Sequence, residues 1–400
     1  MPLLPRLRAL EVLRLPREDG VETFLLRDPE GYTEDEIALS EAALFVAAHG
    51  DGEHTMEELR TRFAERYGKE LGVDQAQAVF DRLETARMIE SESFLAERER
   101  LHREFRDAPS RPAAHAGVSY PDDPAAARQT LCGFFTAAET LEEPGDRPPG
   151  TLRGIVAPHI DLRVGGPAGA LAYRLVVEAP AVETVVVLGT SHGCPRPAWI
   201  VLDKPYETPI GPVPVDAEAC RRLAAAAEVP TEDLFFHRRE HSVEFQAVFL
   251  AALREQNRDL RMVPVLCGSL RGDPRPAASD PFLDALRAYL EERGPRAVVL
   301  AGADLAHVGP RFGDLEPLTA SHLELLEKKD RATLAAAARG DAGGFYDSVM
   351  EAEDPRRICG LAPIYGLLAA LPGVRGKILR YEQASDPTGT VSYASMGWWG

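Results

Sequence analysis

The chain has 400 residues, a formal net charge of −18 at neutral pH, 45% hydrophobic residues and 27% charged ones. That balance suits a globular chain with a sizeable core and room for more than one domain. The acid excess argues against nucleic acid or an anionic membrane as partner, because both require basic patches, and no apolar run reaches membrane-spanning length.

The start, MPLLPRLRALEVLRLPRED, is broken by prolines and arginines and lacks the apolar core of a signal peptide. A cytoplasmic location is therefore expected. The five cysteines (Cys132, Cys194, Cys220, Cys267 and Cys359) form no C-x-x-C pair and are odd in number, which suits reduced thiols.

Residues 1–100 carry 13 Lys/Arg and 23 Asp/Glu, more than half of the excess acid. This places a boundary near residue 105 and divides the chain into 1–105 and 106–400. In the first part, Val21–Arg27 reads as a short strand and Leu39–Ala48 as an apolar helix closed by the Gly50-Asp51-Gly52 turn. Thr55, with Glu58 at the capping-box position, starts a second helix. Asp74 caps a third, with Val79, Leu83 and Ala86 at helical spacing. Met88-Ile89 and Ser93–Leu95 suggest a closing hairpin. A strand, three helices and a hairpin describe a small α+β, winged-helix-like module. Its arrangement resembles the peptide-binding PqqD-type domains, and a docking module and a structural appendage are both open readings.

Arg98–Arg106 is charged and reads as helix or linker. A helix capped by Asp122 or Asp123 opens the second part, and Leu141–Gly150 reads as a loop. From Arg153 strands and helices alternate. Strands are predicted at 153–158, 184–190, 198–203, 261–267, 297–303, 377–382 and 391–397. Helices are predicted near 167–178, 216–227, 242–255, 281–293, 317–338 and 361–370. The alternation implies an α/β domain with a mixed central sheet and helices on both faces.

Three of the apolar runs end in a histidine: GIVAPHIDLRVGG at His159, TVVVLGTSH at His192 and AVVLAGADLAH at His307. Ligands of α/β proteins bind beyond the carboxyl ends of the strands, so these three point to one site. Asp161 and Arg163 follow the first histidine. Asp304, three before His307, is placed to orient it or to hold a supporting hydrogen bond. FHRREHSVEF adds His237, Glu240, His241 and Glu244, with His241 and Glu244 sharing a helix face. That pattern is neither H-E-x-x-H nor its inverse, so a zinc-peptidase reading is weak. Cys359 precedes a helix start, and that terminus with Arg356 and Arg357 is expected to favour its thiolate. His49, His54, His102 and His322 have no partner pattern.

These residues carry a resemblance. Ala116-Gly117 with Tyr120-Pro121, Ala157-Pro158-His159, Leu188-Gly189 with Ser191-His192, Tyr206-Thr208-Pro209, Glu240-His241-Ser242-Val243-Glu244, Asp304 with His307, Ile358-Cys359-Gly360 and Val391-Ser392-Tyr393-Ala394 run the length of the second domain in order. That domain resembles the Memo family, protein B of the AmmeMemoRadiSam system, which is similar in fold to the LigB-type class III extradiol dioxygenases. The resemblance implies a metal set of His159, His192 and Cys359. It also implies that His241 and His307 line the same cleft as acid/base or substrate-binding groups, and Asp304 and Glu244 are taken with them as candidate catalytic residues. The surroundings depart from the family: Ile160-Asp161-Leu162, Gly193, Gln246, Gly302, Ala303 and Val308 stand where it usually has other residues. Asp161 and Arg163 are accordingly expected to be new substrate-binding groups.

Three functions compete. The first is a redox or oxygen-handling enzyme with a transition metal, iron or copper favoured and zinc possible, since imidazole and thiolate disfavour magnesium and calcium. It would act on a small molecule or peptide in the cleft. The second is a non-catalytic protein that binds a peptide or modified residue, with a radical-SAM protein as partner. The third is a metal-dependent hydrolase, for which Glu244 is the one good carboxylate base.

Overall fold

The structure is a computed structural model that describes residues 2–15, 22–256, 258–271 and 280–400. It divides into two compact units, one from the first 107 residues with Gly309–Glu316, the other from Ala108–Val308 and Pro317–Gly400.

In the first unit, β1 (Glu11–Arg14), β2 (Thr23–Arg27) and β3 (Ile37–Ser40) form an antiparallel sheet in that order. Helices α1 (Glu41–Ala48), α2 (Met56–Tyr67), α3 (Val73–Thr85) and α4 (Glu92–Asp107) follow. Val21, expected to begin the second of these strands, lies outside the described residues. Ser40 caps α1 by accepting from Ala43 N, so Leu39 belongs to a strand and not to the helix. Thr55 and Glu58 form the expected capping box on α2. Asp74 is not a cap: Gly72 occupies that position and Asp74 sits in the first turn of α3.

The expected closing hairpin does not form among the described residues. Ile89 makes only an isolated bridge to Leu7, and Ser93–Leu95 lie in α4 because Phe94, Leu101 and Phe105 recur at helical spacing and are buried together. Buried Arg8 holds Asp28 at 2.7 Å and Glu30 at 2.9 Å, and lies over the Phe94 ring.

The second unit begins with α5 (Pro124–Ala138), capped by Asp123. Then come β4 (Leu152–Ala157), α6 (Leu162–Glu178), β5 (Thr184–Thr190), β6 (Trp199–Val201), α7 (Ala217–Ala227), α8 (His241–Glu255), β7 (Arg261–Cys267) and α9 (Pro281–Arg293). The rest is β8 (Ala297–Gly302), β9 (Asp304–Val308), α10 (Ala320–Ala338), α11 (Ala342–Met350), α12 (Leu361–Ala370), β10 (Arg375–Asp386) and β11 (Gly389–Trp399). The sheet order is β10-β11-β4-β8-β5-β7-β6, with β9 pairing β11. Strands β4, β8, β5 and β7 are parallel, and the outer pairings are antiparallel, so the sheet is mixed.

Register decides where the site falls. Ala157 and Gly189 both pair with Gly302, which levels the ends of β4, β8 and β5. His159, Asp304 and His192 follow these residues at once and emerge together. One expectation is corrected: His307 does not simply follow the strand, because the chain re-enters the sheet as β9, where His307 pairs with Val391.

Successive strand residues face opposite sides of a sheet. A Cβ on Gly189 would meet Ser242 and Val243 of α8, whereas the adjacent Leu188 approaches Gly366 of α12. Helices therefore cover both faces. The α8 start also lies close on Gly302, where a Cβ would come within 2.7 Å of the Ser242 carbonyl. The bare strand ends let that helix descend onto the edge that carries the histidines.

Candidate metal centre

His159 is 2% exposed and held at both ends. Its backbone N–H donates to Asp304 Oδ1 at 2.9 Å, and its Nδ1 lies 2.8 Å from the Gly302 carbonyl. A carbonyl only accepts, so Nδ1 carries a proton and Nε2 is the atom presented to the site. Asp304 thus holds the His159 backbone directly and also feels the charge of His307, whose own Nδ1 lies 3.1 Å from the Leu305 carbonyl.

Glu240 organises the other two imidazoles. It caps α8 by accepting from Ser242 N at 3.0 Å. The same carboxylate accepts from His192 N at 2.9 Å and lies 3.0 Å from His192 Nδ1 and 3.3 Å from His241 Nδ1. His241, the first residue of α8, stacks on His192 with ring centroids 4.8 Å apart and stands perpendicular to His159 at 5.3 Å. The nitrogen donors of His159, His192 and His241 all lie within 4.8 Å of one another.

Cys359 completes the group. Its Sγ is 3.3 Å from His159 Nε2, and its carbonyl accepts from Thr190 Oγ1 at 3.1 Å. Burial alone would raise its pKa, but His159 and His307 outweigh burial and bring it well below the usual thiol value. The cause differs from the sequence expectation. Arg356 holds Asp330 at 2.8 Å and Arg357 Nε donates to the His307 carbonyl, so the histidines and not the arginines favour the thiolate. Burial opposes charge on His159 too, yet Asp304 and Cys359 raise its pKa to about 9. His241 goes the other way: burial, with the neighbouring His192 and His159 charges, keeps it well below the usual imidazole value.

The remaining predicted groups lie apart from this cluster. Glu244 is fully buried, and its two oxygens accept from Arg111, Tyr120 Oη, Ala114 N and His115 N. It anchors the segment that precedes α5 and has no lone pair directed at the histidines. Asp161 caps α6 and accepts from Arg163 N, Nε and Nη2, while the Arg163 side chain is 71% exposed. These two residues bind each other at a helix start. His237 Nε2 donates to the Ile200 carbonyl (2.8 Å) and its Nδ1 accepts from Tyr206 Oη (2.7 Å), and burial pushes its pKa down to about 3, as for a neutral packing residue.

Sequence reasoning gave no role to Glu240 or His115. Glu240 was legible as a carboxylate at a helix N-cap directly before a candidate histidine. His115, whose ring stands 5.7 Å from His241, had no such signal, because long-range bonds to Glu244, Arg239 and Glu240 bring its loop to the start of α8.

The donor set fits a transition metal. Three imidazoles, each tied through Nδ1 to a carbonyl or carboxylate, are the supported form of a histidine ligand. Metal–nitrogen bonds of about 2.0–2.1 Å set tetrahedral ligand atoms roughly 3.4 Å apart, so binding would draw the trio together by up to about 1.4 Å.

A mixed-sheet α/β protein with clustered histidines and a thiol at the carboxyl edge of its parallel strands is the class that this fold and site define. Within that class the chain belongs to the Memo family: the family described as "Memo-like protein" matches residues 111–397. A MEMO1 family protein of Aquifex aeolicus is 28% identical over 385 residues, covering 94% of this chain and 96% of its own. That coverage takes in the N-terminal unit as well. A MEMO1 family protein of Methanopyrus kandleri is 30% identical over 299 residues, 72% of this chain and 98% of its own. The protein memo-1 homolog of Caenorhabditis elegans is 30% identical over 306 residues, 72% and 81% of the two chains. Among the described residues no helix is long and apolar enough to cross a membrane.

Proposed function

We propose that this chain binds one transition metal through His159, His192 and His241, with Cys359 as a further donor, and works as a redox or oxygen-handling enzyme on a small molecule. The observation that carries the reading is the shared orientation of the imidazoles: Gly302 and Glu240 take their Nδ1 sides, which leaves the Nε2 atoms for one centre. Imidazole with thiolate favours iron or copper, with zinc possible. Such an ion would supply Lewis acidity and, for iron or copper, one-electron exchange. The protein's own part is to hold the imidazoles through Glu240 and Asp304. His307, close enough to Cys359 to influence its ionisation, is the group proposed to carry a proton. The hydrolytic reading loses its carboxylate base, because Glu244 is closed off by four donors.

A second reading, a peptide-binding protein that serves a radical-SAM partner in the cytoplasm, draws on the N-terminal unit, which has its own core around Leu26, Leu59, Phe80 and Leu83. In it, residues 1–105 are a PqqD-like docking module.

The test is metal content of tag-free protein by mass spectrometry. The wild type should carry about one ion per chain, and His159→Ala, His192→Ala and His241→Ala should each lose it. Cys359→Ser should weaken binding, and His307→Ala should retain the ion but lose turnover. Equal occupancy in the wild type and all these variants would leave the binding-protein reading.

A further inference from the structure

A cavity of about 300 Å³ adjoins the His192 and Cys359 side of the cluster. It lies at the carboxyl ends of β5 and β7 and the start of α12, and its walls are apolar or thiol at Cys194, Cys267, Leu270, Ile358 and Leu361. The volume stands at the lower end of small-molecule sites.

Thr190, His192 and Ser269 also line it, and two further polar groups bear on recognition. Ser191, next to His192, is only 7% exposed, and its Oγ has no hydrogen-bond partner among the described residues. Buried hydroxyls are otherwise almost always paired. Arg271 stands at the wetter side, its side chain 43% exposed. Its Nε and Nη2 hold buried Asp354 at 2.9 and 2.8 Å, and Nη2 also donates to the Ile358 carbonyl. The guanidinium plane is thus fixed, while Nη1 makes no hydrogen bond among the described residues. Asp354 offsets the charge of Arg271, so recognition there depends on the direction of the N–H groups, to which a planar carboxylate is matched.

We propose that this cavity is the substrate pocket and that it takes a small carboxylic acid. The apolar body packs on Leu270, Ile358 and Leu361, the carboxylate meets Arg271, and a polar atom near the cluster bonds to Ser191 Oγ. The assignment rests on the reading of the histidine cluster as a catalytic centre.

Calorimetric titration with 3-phenylpropionate and its amide tests it, on metal-free protein and on protein loaded with zinc. The acid should bind about tenfold more tightly than the amide in both forms. Arg271→Gln should reduce the acid to the level of the amide, and Ser191→Ala should weaken both compounds. Because Arg271→Gln also removes the partner of buried Asp354, Ser269→Phe serves as a second variant: it fills the cavity and should abolish binding of the acid. Zinc stoichiometry should be unchanged in all three variants. Equal affinity for acid and amide, no binding of either, or full binding in Ser269→Phe would overturn the pocket assignment. Zinc binding without acid binding sinks this inference alone, and acid binding without zinc binding sinks the metal reading alone.

Discussion

Glu240 grips His192 twice, accepting from its backbone N–H at 2.9 Å and lying 3.0 Å from its Nδ1. One carboxylate therefore ends the α8 cap, fixes the residue after β5 and sets the imidazole tautomer. Local helix chemistry and the site are joined in a single side chain.

Glu240→Gln keeps an acceptor for Ser242 N but loses the charge that makes His192 and His241 better donors. Metal affinity should fall about 10–100-fold, the usual cost of losing such a partner, with little change in Tm. Glu240→Ala should add a loss of about 1 kcal/mol of stability from the missing cap. Metal titration and thermal unfolding, run together, separate the two effects.

Metal binding should depend on pH through His159. In the metal-free protein its pKa is raised to about 9, so Nε2 must release a proton before it can bind below that pH. Burial opposes charge on His192 as well, but the Glu240 carboxylate outweighs it and raises the His192 pKa well above the usual imidazole value. Affinity should therefore climb by at least about tenfold per pH unit from pH 6 toward pH 9. For the metal-free fold the sign is opposite. A raised histidine pKa contributes stability that is complete below its unfolded value and is lost as pH rises through about 9. Zinc titrations and denaturant melts from pH 6 to 10 check both trends, and a flat affinity profile would count against His159 as a ligand.

Glu244→Ala should unfold the second unit more readily without changing its metal stoichiometry. The substitution leaves buried Arg111 without its charge partner, a defect of about 3–5 kcal/mol. Burial opposes the Glu244 charge, but Arg111 outweighs it and holds the pKa below the ordinary value. Its contribution is therefore present above the unfolded pKa and lost as pH falls through the folded one. Urea denaturation at pH 7 and pH 3 measures this, and loss of metal from folded Glu244→Ala would return Glu244 to the site.

Gly302→Ala should displace the start of α8. The new Cβ would stand 2.7 Å from the Ser242 carbonyl, which is backbone and cannot swing aside. Overpacking of this kind costs about 1–3 kcal/mol, and the moving segment carries Glu240 and His241. Weaker metal binding together with a lowered Tm is expected, and a lowered Tm alone would show that α8 adjusts without moving its first turn.

Limited proteolysis should separate the two units after α4 rather than within it. That helix runs to Asp107, and the next residues with buried side chains begin at Arg111. Fragments beginning near residue 108 are expected by mass spectrometry. First cleavage inside 153–256 would argue against an independently stable second unit.

The sequence by itself determined most elements of the second unit, though not β9 or α11, and three of the positions at its edge. Apolar runs such as Thr184–Thr190 are legible because a strand buried on both faces admits few polar residues. A histidine just past such a run stands out for the same reason. The capping box at Thr55 was equally local and equally readable. Only the tertiary structure decided the rest, because it depends on groups far apart in the chain. The level register of Ala157, Gly302 and Gly189 brings His159 beside His192, and the bare strand ends admit α8, which turns His241 from a lining residue into a third imidazole of the cluster. Pairing at a distance also reassigned the carboxylates: Asp304 to His159, Glu240 to His192, and Glu244 to Arg111. A carboxylate's role is set by the donor it meets, and in this protein those donors lie 48 to 145 residues away.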